Sequence, residues 1–576
     1  MKFFHVYDER TNIGFEKHNL LNEDSGFKIQ HVFSQPMAYK FNTIAAKGTK
    51  LHSIIKENKM PFYVDRLTGG VPYHNYTFDK ELIHEYAEIL GDWFLGFQLH
   101  ESASNIGKNT WPTLLRLMGS DGPYDLEELK VKMRRGTTHT YEGEPLYYFG
   151  HGTPEYYADR KLTRPKTTDE FISQITDYYK MRMDETCGFI LPCDSYFVMG
   201  RLFDELGVHS FMPEAGWQIA DMRISTALTR GIADAAGKTW GIYYETWLVE
   251  DPKNVTMPCY SDNPVNEWWL DVERNPEDME IFDPQSGSSR LLQKRVYYFS
   301  LMSGADYLSE EWGLYCSYID SNDFELSEYG LIKKDFIEFA RKHKHMKADI
   351  PFAVVLPKEH SCVETDSPFS RAKYGKVRED YMNIPIFDAQ REFVAHVENV
   401  LRLIYDSYGK VSGNEGHVLS NSRFGDLFDI IYEDCSEEVF AKYDTLIDAS
   451  PDGDFAKKYG AKYRVLTSEN HEKLEQELHK REKEIMPVTV NGLHWLVSHD
   501  EKGRYLSIFN NEGNFRFRPH GDRIDDDCDM TVTVSFKEEA DLKALVLGND
   551  KVKIEKADEK TYNVTVPAAQ FAVFEF

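Results

Sequence analysis

Apolar runs of strand length alternate with stretches of helical periodicity up to about residue 345, the pattern of repeated βα units. The runs predict eight strands, at Phe3–Tyr7, Ile29–Ser34, Pro61–Asp65, Phe94–His100, Phe189–Pro192, His209–Pro213, Trp240–Tyr244 and Asp306–Ser309. Helical periodicity falls between most of them, over Phe41–Lys59, Asp79–Gly91, Thr168–Arg182, Met199–Leu206, Ala220–Gly237 and Leu291–Met302. Eight parallel strands close a (β/α)8 barrel. Gly237 is placed to stop its helix, since a residue without Cβ accepts the left-handed backbone of a C-cap. The stretch from about 105 to 167 is long for a βα loop and rich in Gly, Tyr and Pro, as expected of a loop that builds or covers a barrel mouth.

The pattern changes twice further on. Pro351–Leu356, Asp429–Ile431, Thr445–Asp448 and Tyr463–Leu466 are short apolar strands, with a helix-like Glu392–Tyr408 among them, and predict a doubly wound α/β unit. A charged helix at Glu472–Glu484 follows. Beyond it strict alternation takes over at Leu493–Ser498, Tyr505–Phe509, Met530–Phe536, Tyr562–Val566 and Phe571–Phe576, with turn residues between, as in a small antiparallel β domain. The expected fold class is therefore α/β, with a TIM barrel over 1–348, a flavodoxin-like α/β domain over 349–487 and an antiparallel β domain over 488–576.

Composition narrows the function classes. A chain of 576 residues exceeds one ordinary core, in line with several domains. The formal net charge of −28 argues against nucleic acid and anionic membranes as partners, both of which favour basic surfaces. No apolar run approaches the roughly 20 residues of a membrane span. The first ten residues carry charge too early for a secretion signal, and seven cysteines are few and odd in number, so a reducing cytoplasm is the expected location. There is no zinc spacing and no Gly-rich nucleotide loop, hence no expected metal or cofactor. Aromatic residues make up 14% of the chain; their faces stack on sugar rings and also fill cores.

Two glutamates close apolar strands: Glu101 ends Phe94-Leu-Gly-Phe-Gln-Leu-His-Glu101, and Glu245 ends Trp240-Gly-Ile-Tyr-Tyr-Glu245. A carboxylate just past a buried run is costly unless it enters a polar site, and C-terminal strand ends are where barrel chemistry sits. Two carboxyls across a sugar-binding cleft suffice for glycoside cleavage. Glu245 is the candidate nucleophile and Glu101 the candidate acid/base, with His100 beside it. Glu214 and the adjacent Glu310 and Glu311 also lie at strand ends, and only one of the adjacent pair can face a cleft. Asp65, Arg66 and Asp194 are candidates for binding hydroxyls, and Trp217, Trp247 and Trp312 for sugar platforms.

The chain resembles the clan A retaining glycoside hydrolases, and in its domain order the family 42 β-galactosidases. The local match lies in Arg290–Asp306, ending Ser-Gly-Ala-Asp306, in Leu326-Ser-Glu-Tyr-Gly330 and in Ala235–Tyr244. The resemblance implies an acid/base after strand four and a nucleophile after strand seven, by the count above Glu101 and Glu245. It also implies a trimer built through the α/β domain. His100 stands where the family usually has Asn, which points away from ordinary β-galactosidase specificity, with mannose among the alternatives. The expected activity is a retaining exo-acting β-glycosidase on small oligosaccharides or glycosides. An inverting or metal-assisted enzyme using Glu214 or Glu311, or a non-catalytic sugar-binding barrel, stands as the alternative.

Overall fold

The computed structural model describes residues 1–31, 36–67, 77–100, 117–133, 140–141, 144–145, 154–158, 168–193, 200–216, 222–246, 267–269, 287–311, 317–320, 323–358, 396–397, 399–405, 418–517 and 521–576. Its largest sheet is the expected barrel. The strands are β1 (Lys2–Val6), β2 (Ser25–Ile29), β3 (Phe62–Val64), β4 (Phe94–His100), β5 (Ile190–Cys193), β6 (two short pieces, Ser210–Phe211 and Glu214–Ala215), β7 (Thr239–Glu245) and β8 (Tyr307–Glu311). They pair in parallel in the order β5-β4-β3-β2-β1-β8-β7-β6. The Met212 amide donates to the Pro192 carbonyl at 3.0 Å and joins β6 to β5, closing the ring.

Helices cover the ring from outside. Lys80–Leu90 is capped by Asp79, whose carboxylate accepts from the Leu82 amide at 3.0 Å, and stops at Gly91 in the left-handed half of φ. Met222–Ala236 is buried nearly all round up to Ala233 and ends before Gly237 at φ 67. Arg290–Met302 starts at Ser289, which accepts from the Leu291 and Leu292 amides. Two expectations shift. β2 runs over Ser25–Ile29 rather than Ile29–Ser34, because Ser25, Gly26 and Lys28, weak strand signals by composition, take the inner and outer positions of a fully buried strand. The expected helix Phe41–Lys59 is two helices, Met37–Ile44 and Lys50–Asn58, separated around Gly48 at φ 84.

The barrel interior is packed by Phe4, Tyr63, Leu95, Leu191, Cys193, Met212, Tyr243 and Tyr307. Each large side chain so buried contributes about 1.5–3 kcal/mol. Two glycines make room for the rings. A Cβ on Gly241 would lie 2.1 Å from the Tyr307 ring, and one on Gly26 2.6 Å from that of Phe4.

Beyond the barrel, Phe428–Tyr432, Phe352–Leu356, Thr445–Asp448 and Val465–Thr467 form a parallel sheet in that spatial order. Its first strand packs on the barrel helix Met222–Ala236, where buried Arg230 pairs with Asp429 at 2.7 Å. The C-terminal residues form antiparallel sheets of four and five strands and a two-stranded one, Asn514–Phe517 with Gly521–Ile524, and Lys347–Ala348 supplies an edge of the five-stranded sheet.

Candidate active site

Parallel strands put all their C-terminal ends at one mouth. His100 is the last residue of β4, Asp65 and Arg66 follow β3, Glu214 lies in β6, and Glu245 and Glu311 end β7 and β8. Glu245 and Glu311 are register partners on neighbouring strands, so both carboxylates leave the sheet on the same side, one strand spacing apart. Glu214 joins them: one carboxylate oxygen from each of Glu214, Glu245 and Glu311 lies within 4.8 Å of the others. Gly216 backs Glu245 so closely that a Cβ there would fall 1.9 Å from its Oε2.

Three ionised carboxylates this close cannot stand unassisted. At an effective dielectric near 20, two unit charges 4.8 Å apart repel by about 3.5 kcal/mol, and three pairs approach the whole stability of a domain. Arg66 is the first relief. Its Nη2 donates to Glu311 Oε1 and lies 2.6 Å from His100 Nε2. The backbone of Arg66 is left-handed, at φ 58, a conformation that costs a non-glycine residue free energy and is found most often at functional sites. A retained proton is the second. Burial and then the neighbouring Glu214 push the Glu311 carboxyl up to about 8, against the pull of Arg66. Because a guanidinium only donates, His100 Nε2 is the acceptor toward Arg66, which places the proton of a neutral imidazole on Nδ1. Glu214 Oε1 lies 3.3 Å from the same Nε2.

Asp65 lies beneath this layer. Burial alone would raise its carboxyl, but Lys28, His31 and Arg66 together hold it well below the usual carboxylate range. Lys28 Nζ is 3.4 Å away, His31 Nδ1 3.1 Å, and the Tyr243 hydroxyl donates to it at 3.1 Å. Burial, reinforced by Arg66, lowers His31 to about 3, so its ring is neutral at neutral pH. Asp65 is thus tied up as the anion of a buried network rather than held out for a hydroxyl.

The structure therefore brings together His100, Asp65, Arg66, Glu214, Glu245 and Glu311. Glu310 points the other way, into the helix layer, where Tyr297 donates to its Oε1 and Lys333 Nζ lies 2.7 Å from its Oε2. Glu101, Asp194, Trp217, Trp247 and Trp312 lie outside the described residues. Lys28, His31, Tyr243 and Gly216 were not legible as site residues. A lysine in the short run Ser-Gly-Phe-Lys-Ile was the available signal for the first, because a cation on a buried barrel strand requires an acidic partner.

No family model matches the chain, and no curated protein matches it. Solved structures to which it is similar include the catalytic module of a family 98 glycoside hydrolase from Streptococcus pneumoniae TIGR4 in its native form. That match has a TM-score of 0.40 at 9% identity and covers 100% of this chain and 98% of that one. The same module in complex with the H-disaccharide blood group antigen aligns with a TM-score of 0.41 at 8% identity, over 99% and 98% of the two chains. Alpha-L-fucosidase isoenzyme 2 from Paenibacillus thiaminolyticus gives 0.40 at 10% identity, over 99% and 96%. These are loose likenesses of whole chains, and the reading of the mouth rests on its own geometry.

Proposed function

We propose that the chain is a glycoside hydrolase, a retaining, exo-acting β-glycosidase for small oligosaccharides or glycosides of the galactoside or mannoside kind. The observation that carries the reading is the carboxylate constellation at the barrel mouth: Glu245 and Glu311 in register, Glu214 beside them, all buried, with Arg66 between strands. Glycoside cleavage asks for one carboxylate and one carboxylic acid at close range. In double displacement, Glu245 attacks the anomeric carbon while Glu101, next in the chain after His100, protonates the leaving oxygen and later deprotonates water.

A second assignment is favoured by the setting of Glu311, whose burial beside Glu214 pushes its carboxyl up to about 8. There Glu311 is the acid and Glu101 serves binding. Leaving-group dependence separates the two. The residue that protonates the leaving oxygen loses most activity on poor leaving groups when replaced, and comparatively little on activated aryl glycosides. Glu101→Ala is expected to show that selectivity, and Glu311→Gln to show it instead if the second assignment holds.

Glu245→Ala is the decisive variant. It should abolish turnover with the fold intact, and azide should restore cleavage as the inverted glycosyl azide. A variant that keeps near-full activity moves the nucleophile to another residue. A panel of aryl β-galactoside, β-mannoside, β-glucoside and β-xyloside names the glycone, and no turnover on any of them removes the reading. Sedimentation is expected to show a homotrimer.

A further inference from the structure

Lys28 is buried to zero side-chain exposure inside the barrel, at the fourth position of β2, and none of the chemistry above uses it. A satisfied core charge would need only Asp65. Lys28 has more than that, and its partners are particular. Its Nζ donates to the backbone carbonyl of Glu310 at 2.6 Å, one residue before Glu311. It lies 3.4 Å from Asp65 Oδ2, one residue before Arg66. It sits 4.9 Å from the centre of the Tyr243 ring, two residues before Glu245, and the Tyr243 hydroxyl reaches the same Asp65 through Oδ1. One ammonium group thus contacts the three strands that carry Arg66, Glu245 and Glu311, immediately below those residues.

We infer that Lys28 is the positioning residue of the carboxylate mouth: through Glu310, Asp65 and Tyr243 it holds β8, β3 and β7 in the register that sets Glu311, Arg66 and Glu245 together. The inference rests on reading that mouth as an active site. Lys28 also supplies charge. The groups around it are Asp65, Glu311, Tyr243 and His31, with the Glu310 carboxylate on the far side of the sheet, and those around Glu311 are Arg66, Glu214, Glu245, Asp65, Tyr243 and Lys28. Lys28 favours the ionised form of Glu311, so removing it makes Glu311 hold its proton to higher pH.

The test compares the wild type, Lys28→Met, Lys28→Arg and Tyr243→Phe, in pH profiles of kcat and KM on the best aryl glycoside and in carbon NMR titrations of protein labelled at the glutamate δ-carbons. Lys28→Met is expected to lose at least about tenfold in kcat with KM little changed. Its highest-titrating glutamate resonance moves to higher pH, and Lys28→Arg restores both kcat and that resonance toward wild type. An unchanged kcat, or an unchanged glutamate titration, in a folded Lys28→Met overturns the inference. If that variant does not fold, Tyr243→Phe decides, because it removes one hydroxyl and keeps the ring. A drop in kcat or a moved glutamate resonance supports the tie through Asp65, and wild-type behaviour in both overturns it. The NMR titration needs no turnover, so a protein inactive on every glycoside but showing the resonance shift keeps the positioning role and loses only the enzymatic reading.

Discussion

At the scale of single residues, Glu311 and Gly216 make the sharpest statements. Glu311 has an ordinary value of 4.5 that the fold raises to about 8. Between those values the native protein holds more protons than the unfolded chain, so this group's contribution to stability is present at low pH and is lost as pH rises through the window. Thermal unfolding followed from about pH 5 to about pH 8 should therefore show a decline that Glu311→Gln flattens, since the amide mimics the protonated acid. A decline of equal steepness in the variant would assign it to other groups. Gly216→Ala drives a methyl onto the Glu245 carboxylate, which a Cβ would meet at 1.9 Å. On the nucleophilic role proposed for Glu245, a displacement of about an ångström costs on the order of a hundredfold in rate. The expected result is that loss in kcat with a melting temperature near wild type.

At the scale of elements, two strands of the barrel carry a glycine where a large ring crosses, Gly26 in β2 under Phe4 and Gly241 in β7 under Tyr307. Gly241 in β7 faces Tyr307 of β8, whose hydroxyl in turn donates to the Phe211 carbonyl of β6 at 2.9 Å. Gly241→Ala overpacks that crossing against both ring and backbone, with a Cβ 2.5 Å from the Tyr307 carbonyl oxygen. It should lower stability by about 1–3 kcal/mol or more in chemical denaturation, and reduce activity as well because β7 and β8 carry Glu245 and Glu311. The alternation of sides explains the fate of the adjacent glutamates. Tyr244 and Glu310 are register partners turned to the helices, whereas Glu245 and Glu311, one residue on, are turned to the mouth. A one-residue slip of β8 would exchange the roles of Glu310 and Glu311.

At the scale of the whole molecule, the C-terminal β domain reaches the barrel at a buried polar joint. Arg295, fully buried on the helix Arg290–Met302, donates from Nη2 to Glu267 at 2.5 Å and from Nη1 to Asn511 Oδ1 at 2.8 Å. Asn514 donates to both Glu267 Oε1 and Ser289 Oγ at 2.8 Å. The Ser289 amide bonds the Glu267 carbonyl, and the Ser288 amide bonds that of Thr246, next to Glu245. Glu267→Ala takes the carboxylate from a buried guanidinium and should cost about 3–5 kcal/mol. The double variant Glu267→Leu with Arg295→Met should cost less than Glu267→Ala alone, because no buried charge is then left without its counter-charge. Equal losses in calorimetry would show that the joint is held by packing rather than by the pair.

The order of elements was written in the chain, because hydrophobic period is a local property. Six of the eight barrel runs overlap their strands along most of their length, the run at His209–Pro213 shares only Ser210–Phe211 with β6, Thr445–Asp448 lies where the pattern set it, and Gly91 and Gly237 end their helices for the reason that any glycine can. Glu245 at the end of β7 was legible for the same reason, as a carboxylate closing an apolar run. β2 was misplaced because its inward lysine and two small residues hide a buried strand from any apolar count. What only the tertiary structure decided is which charges meet. Asp65 was a candidate for binding hydroxyls at the end of β3 until Lys28, His31 and Tyr243 closed on it from two other strands and a strand end, and Glu214 became a neighbour of Glu245 and Glu311 only when the sheet closed. Pairing across a barrel depends on register and closure between residues that lie on different strands, 34 positions apart for His31 and Asp65 and 245 for Arg66 and Glu311, and the pattern within any one segment carries no information about either.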